Sequence, residues 1–238
     1  MNKTRLTILF LLILCFKQLF TRLAIWLKLN IWFILLCLLI VTIPAAKAAL
    51  YHTVKEELRD PFEVHINARE EFRKAFFQLF GRSLVLSIIN IIVLLLIIAA
   101  FIFWIGIEPR ILRYVSIIIL YFAVMWWLCQ PFLFPVLVDN PKMPLQKVIK
   151  NVIRLALSQP FYALMVTFMI TLTNLVGLIF LGPILLIVPA FNALLSTQAY
   201  WTMTGVEIPD LIDPVAYAYQ QDKLNPENNP VQSNFPTK

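Results

Sequence analysis

An all-α fold, a polytopic membrane helix bundle with about five transmembrane helices and amphipathic interfacial helices beside them, is what this sequence predicts. Three observations predict it. Hydrophobic residues fill 61% of the 238 positions and charged residues 14%, whereas a soluble domain is about 45–50% apolar and about 25% charged. The apolar residues gather in runs, and a helix of roughly 20 apolar residues crosses about 30 Å of hydrocarbon. The charges fall between the runs, in stretches whose apolar residues recur at helical spacing.

Residues 1–28 come first. Lys3 and Arg5 precede an apolar stretch over 6–16, and Lys17, Arg22 and Lys28 follow it. A signal peptide opens this way. No small-x-small cleavage site follows, however, and Leu14 before Cys15 does not suit a lipoprotein signal. The stretch is short for a span, so it reads as an amphipathic helix held at the interface by its basic residues. An additional span over 6–24 is the competing reading.

The helix-bundle domain is expected over residues 29–206. Its first span covers about 29–49, with Trp26 and Trp32 placed for an aromatic belt and Pro44 expected to kink the helix or end it early. The polar stretch 50–82 ends in an amphipathic helix over 67–82, where Phe72, Phe76, Leu79 and Phe80 alternate with charges. The second span is about 84–107 and the third about 114–138, joined by a hinge with Pro109, Arg110 and Arg113. Residues 145–157 read as another amphipathic helix leading into the fourth span, about 161–180. Gly182 and Pro183 make a turn before a fifth span, about 184–201. From Glu207 the chain is polar and rich in Pro, Asn and Gln, so 207–238 reads as a largely disordered tail.

The formal charge of +7 reflects basic residues flanking spans, not a nucleic-acid surface; the aromatic platforms and basic helix of a nucleic-acid reader do not stand outside the spans. If 50–82, 139–160 and the tail share one face, that face carries twelve Lys and Arg against seven on the other when 1–28 does not cross, and the contrast grows when it does. This asymmetry predicts cytoplasmic long loops and a cytoplasmic C-terminus.

Chemistry-bearing residues are sparse. Cys15, Cys37 and Cys129 each sit in an apolar run and form no close pair, which suits buried, inert thiols. His52 and Glu56 share a helical face, and His65 lies nearby. A metal site needs further ligands, so the expectation is no catalytic, cofactor-binding or metal residue; a membrane enzyme would need His52, Glu56 and His65 to converge. Lys47, near the end of the first span, either snorkels to headgroups or pairs with a polar group of the bundle. Asn90, Thr167, Thr171, Thr173 and Asn174 lie within spans. Hydrogen bonding between helices is their default role; facing one shared cavity, for a sugar-like ligand, is the alternative. Tyr121, Trp126, Trp127 and Tyr200 could supply aromatic platforms, though interface anchoring is their commoner use.

Several segments resemble the YesL-like bacterial membrane proteins. Leu29, Asn30, Ile31 and Trp32 open the first span, and Thr42 and Ile43 lead through Ala48 and Ala49 to Leu50 and Tyr51. This is similar to that family's Thr-Ile-Gly-small-small pattern ending in Ala-Leu-Tyr. Phe72 to Phe76, Pro135 to Val138, and Lys150 to Leu157 followed by Pro160 resemble later family segments. The likeness covers roughly 29–201. The chain departs from the family pattern at Leu39, Pro44 and Lys47. The resemblance implies a multi-pass protein of a bacterial inner or plasma membrane, with no cofactor and no defined catalytic residue. It also implies an association with carbohydrate ABC-transport systems. On that basis the expected function is that of a non-enzymatic accessory or partner-binding protein. Its expected partners are the lipid bilayer and either transporter subunits or further copies of itself. A small transporter or channel subunit in its own right is the alternative; it requires Asn90, Asn174 and the span threonines to face a common cavity.

Overall fold

Eight α-helices and one 3-10 turn account for most of the described residues, which in this computed structural model are 8–59, 68–106, 108, 114–179 and 187–206. In chain order they are α1 (Ile8–Thr21), α2 (Leu23–Cys37), the turn Ile40–Thr42, α3 (Ile43–Arg59), α4 (Ala68–Ile105), α5 (Val115–Asp139), α6 (Leu145–Ser158), α7 (Pro160–Ile179) and α8 (Val188–Thr204). The hinge at 109–113, the turn at 182–183, His65 and the tail from 207 lie outside the described residues.

The first expected span is not one helix. α2 ends at Cys37, the chain turns through Ile40–Thr42, and α3 starts at Ile43. Thr42 Oγ1 donates to the carbonyls of Leu36 and Leu39, closing the turn. Pro44 then stands in the first turn of α3, where its missing N–H costs nothing, so it starts a helix instead of ending one. α3 continues to Arg59 and buries Ala45, Ala46, Ala48 and Ala49 in the core.

The expected amphipathic helix at 67–82 and the second span are a single helix. α4 runs unbroken for 38 residues, about 57 Å at 1.5 Å per residue. That is nearly twice the hydrocarbon thickness of about 30 Å. Its first half is amphipathic, burying Phe72, Ala75, Phe76, Leu79, Ser83 and Leu86 at intervals of three and four. Beyond Leu86 its residues, Ser87 and Asn90 apart, are apolar on every side and none is buried, the pattern of a helix in lipid. α5 runs antiparallel beside it and divides the same way. Its buried residues all fall from Leu128 onward, while Ile117, Ile118, Leu120 and Tyr121 are exposed.

The bundle therefore has a densely packed end and a splayed, lipid-facing end. α8 runs through the packed end. It contacts α1, α3, α5 and α7 and buries Ser196, Thr197 and Gln198 with its apolar residues. Pro189 opens it, and Gly205, with φ of 76°, closes it in the left-handed conformation that glycine adopts without strain. Its 17 residues are mostly buried, so this helix, in the region of the span expected at 184–201, packs at the centre of the bundle and presents little surface to lipid.

α4, α5 and α7 are each long and apolar enough to cross a membrane, and α1 with α2 would make a fourth span if the pair, bent by 87°, is taken together. The chain is an integral membrane protein, with three or four such spans among the described residues. α1 does not simply lie on a surface: Leu11, Leu14, Cys15, Gln18 and Leu19 are buried, against α8 among other elements. Trp26 is buried too, its indole N–H donating to the Gln18 carbonyl at 3.2 Å, so it is a core residue and not part of an aromatic belt.

Candidate functional site

Six helices and the 3-10 turn surround a cavity of about 720 Å³ at the level where the packed end gives way to the splayed end, α2 contributing Phe33 and the turn Ile40. α3 brings Lys47 and Tyr51 to it, and α4 brings Ser87 and Asn90. α5 adds Trp126, Trp127, Gln130 and Pro131; α7 adds Thr167, Thr171 and Asn174; α8 adds Asn192 and Ser196. The break at residues 38–42 positions Lys47. It lets α3 start afresh, so that the small side chains Ala45, Ala46, Ala48 and Ala49 face the core while Lys47 opens into the cavity.

Lys47 is the cation of this site. Its ammonium lies 5.9 Å from the centre of the Phe134 ring, within cation–π range, and no ion pair among the described residues includes it. The polar groups around it are amides and hydroxyls. Asn192 Nδ2 donates to Asn174 Oδ1 at 2.7 Å, and Asn192 Oδ1 is buried without a hydrogen-bond partner. Tyr51 Oη and Ser196 Oγ are 3.3 Å apart. Pro131 cannot donate to the carbonyl four residues before it, which frees an acceptor on Trp127, also in the lining.

A second polar group closes one wall. Asn90 Nδ2 donates to Gln130 Oε1 at 2.9 Å, and Trp126 Nε1 donates to Asn90 Oδ1 at 2.8 Å. Gln130 Nε2 donates to Asn90 Oδ1 at 3.2 Å and to the Trp126 carbonyl at 3.0 Å. These bonds fasten α4 to α5 inside the apolar part of the bundle.

Of the residues singled out in the sequence, the structure gathers Asn90, Thr167, Thr171 and Asn174 around one cavity, with Trp126, Trp127 and Lys47. Thr173 is not in the lining. The threonines do not bond across helices as expected. Thr167, Thr171 and Thr173 each donate to the carbonyl four residues earlier in α7. Tyr200 lies elsewhere, donating to Asp139 Oδ2 at 3.0 Å. Gln130, Asn192, Tyr51 and Ser196 were not legible as site residues. Only their polarity inside apolar runs could have flagged them.

At the packed end, Lys55 Nζ is 2.8 Å from Asp139 Oδ1, and Arg22 pairs with Glu57 at 2.7 Å. Burial raises the Glu57 carboxyl above its ordinary pKa, opposed by Arg22. Burial lowers the His52 imidazole, with Glu56 and Glu71 pulling it back up and Lys55 and Arg59 adding to the fall. Glu56 is engaged by Arg59 at 3.7 Å. Among the described residues no group of three His, Cys, Asp or Glu is arranged to hold a metal ion.

A family model now bears on the first half of the chain. Residues 26–103 match the family described as a protein of unknown function, DUF624. The match contains most of α2, all of α3 and nearly all of α4. It therefore takes in Lys47 and Asn90, while Trp126, Gln130, Asn174 and Asn192 come from outside it. No curated protein and no solved structure matches the chain.

Proposed function

We propose that this protein acts by binding, not by catalysis, and that its ligand is a small polyhydroxylated anion, such as a sugar acid or a sugar phosphate, held in the Lys47 cavity. The observation that carries the reading is the presence of Lys47 in the same membrane-level cavity as Asn90, Thr167, Thr171 and Asn174. The buried Asn192 Oδ1, which has no hydrogen-bond partner, favours a ligand that donates to it, and a lone ammonium favours a negative charge. Trp126 and Trp127 offer apolar faces to a pyranose ring. The protein then serves as a small transporter or as the ligand-binding subunit of a carbohydrate-uptake system, the association that the YesL-like resemblance implies.

Titration calorimetry on the detergent-solubilised protein tests this with neutral oligosaccharides, sugar acids and sugar phosphates. Binding of an anionic sugar that Lys47→Gln weakens by about tenfold or more, the scale of one charge-assisted hydrogen bond, is the expected result. Lack of binding across the panel, or binding indifferent to Lys47→Gln, overturns the reading.

A further inference from the structure

We propose that a second site, the groove between α4, α5 and α6, holds an acyl chain of an anionic phospholipid from the leaflet on the α6 side, with the phosphate against Lys150 and Arg154. The groove has a volume of about 500 Å³ and is separate from the Lys47 cavity. Its α4 wall is Leu86, Ile89, Val93 and Ile97, its α5 wall includes Phe122 and Met125, and Ile149 and Ile153 of α6 close its lower end.

The lining selects a hydrocarbon chain. The polar side chains it shares with the cavity are Asn90, Trp126 and Gln130. These are bonded to one another. A chain lying on them leaves no donor or acceptor unmet, whereas a polar ligand would find few partners. From Leu86 to Ile97 the α4 wall rises about 16 Å at 1.5 Å per residue, close to half of the roughly 30 Å hydrocarbon core. That is the reach of a chain belonging to one leaflet.

The end of the groove selects the headgroup. α6 packs Val148, Val152 and Ala156 into the core. Lys150 and Arg154 each follow a groove residue, Ile149 and Ile153, by one position. They therefore stand about 100° round the helix from the groove, beside its mouth and exposed. Lys142 and Lys147 are exposed on the same short segment, residues 141–160 contain no Asp or Glu, and none of these four cations is in an ion pair among the described residues. An unneutralised basic helix end next to a chain-length apolar groove is complementary to an anionic lipid, whose phosphate attracts basic residues close to the surface.

Native mass spectrometry of the full chain, released from micelles holding equal phosphatidylglycerol and phosphatidylcholine, reads this directly. The expected result is one retained lipid per chain, with phosphatidylglycerol favoured on the order of tenfold. In Lys150→Gln with Arg154→Gln the preference disappears while a lipid is still retained. In Val93→Trp, which fills the groove, retention itself is lost, and Leu96→Trp, on an exposed face outside the groove, behaves as wild type. Equal retention of the two lipids by the wild type, an unchanged preference in the charge variant, unchanged retention in Val93→Trp, or a lipid-free dimer of this chain would each overturn the proposal.

Discussion

Lys55 Nζ lies 2.8 Å from Asp139 Oδ1, joining the C-terminal part of α3 to the last residue of α5. Tyr200 of α8 donates to the other carboxylate oxygen at 3.0 Å. One carboxylate thus ties three helices together at the packed end of the bundle. Lys55 is nearly buried, with 9% of its side chain exposed, and Asp139 keeps 29%. Arg59 also acts on Asp139, favouring its charged form, but its side chain is 57% exposed.

Asp139→Ala is therefore expected to destabilise the protein by about 2–3 kcal/mol, somewhat below the cost of orphaning a fully buried charge. Lys55→Met combined with Asp139→Leu should recover part of the loss, and adding Tyr200→Phe should recover more by removing a hydroxyl that has lost its acceptor. Thermal unfolding in detergent measures the series. A double variant no more stable than Asp139→Ala would mean that the pair is not what holds the three helices.

Much of this fold could be read from hydropathy, and the unread parts share a cause. α5, α6 and α7 lie close to their expected positions because each is bounded by polar residues or prolines. The break at 38–42 was invisible because Leu38 to Val41 are as apolar as the helices on either side. Hydropathy reports where a segment partitions, not where the backbone turns. The burial of α8 is unreadable for the same reason: this helix, buried in protein, carries residues similar to those of a helix bathed in lipid. At the site, Asn90, Thr167, Thr171 and Asn174 stood out as polar residues in apolar runs. Nothing in the sequence placed Lys47 with them, because its position follows from where α3 starts.

His52 gives the packed end a pH dependence. Burial holds its folded-state pKa below the ordinary 6.5, so as pH falls through 6.5 the unfolded chain takes up a proton before the folded chain does. Stability is therefore lost as pH falls from about 6.5 toward the folded value, and above 6.5 the imidazole is neutral in both states. Glu57, whose pKa is raised, acts in the opposite sense, favouring the fold as pH falls through its folded value. His52→Gln should flatten the decline in melting temperature between pH 7 and 5.5 while leaving the value at pH 8 nearly unchanged. An identical slope in the variant assigns the acid sensitivity to another group.

The Asn90, Trp126 and Gln130 cluster fastens α4 to α5 where few other polar contacts exist. Hydrogen bonds between membrane helices contribute about 0.6–2 kcal/mol. Asn90→Ala removes the partner of both Trp126 Nε1 and Gln130 Nε2, so a loss of about 1–3 kcal/mol is expected. Asn90→Leu with Gln130→Leu should lose less, because fewer unmet polar groups remain. Unfolding in mixed micelles compares them. If the double variant proves less stable than Asn90→Ala, the amides contribute more than their mutual satisfaction.

Gly177 sets how closely α7 approaches α8. A Cβ built at this position would lie 2.8 Å from Val188 Cγ2, closer than carbon atoms pack without one of them moving. Val188 is β-branched, with a restricted χ1, and it stands at the first residue of α8, so it cannot turn aside cheaply. Overpacking of this kind costs typically about 1–3 kcal/mol, and small residues at membrane helix contacts serve to avoid it. Gly177→Ala should therefore lower the melting temperature, and adding Val188→Ala should restore most of the loss by removing the methyl group that is struck. The rescue separates close approach from helix propensity, since alanine is the better helix former and would by itself stabilise α7. A stabilised Gly177→Ala would show that the two helices have room to part, and that their spacing is set elsewhere along α8.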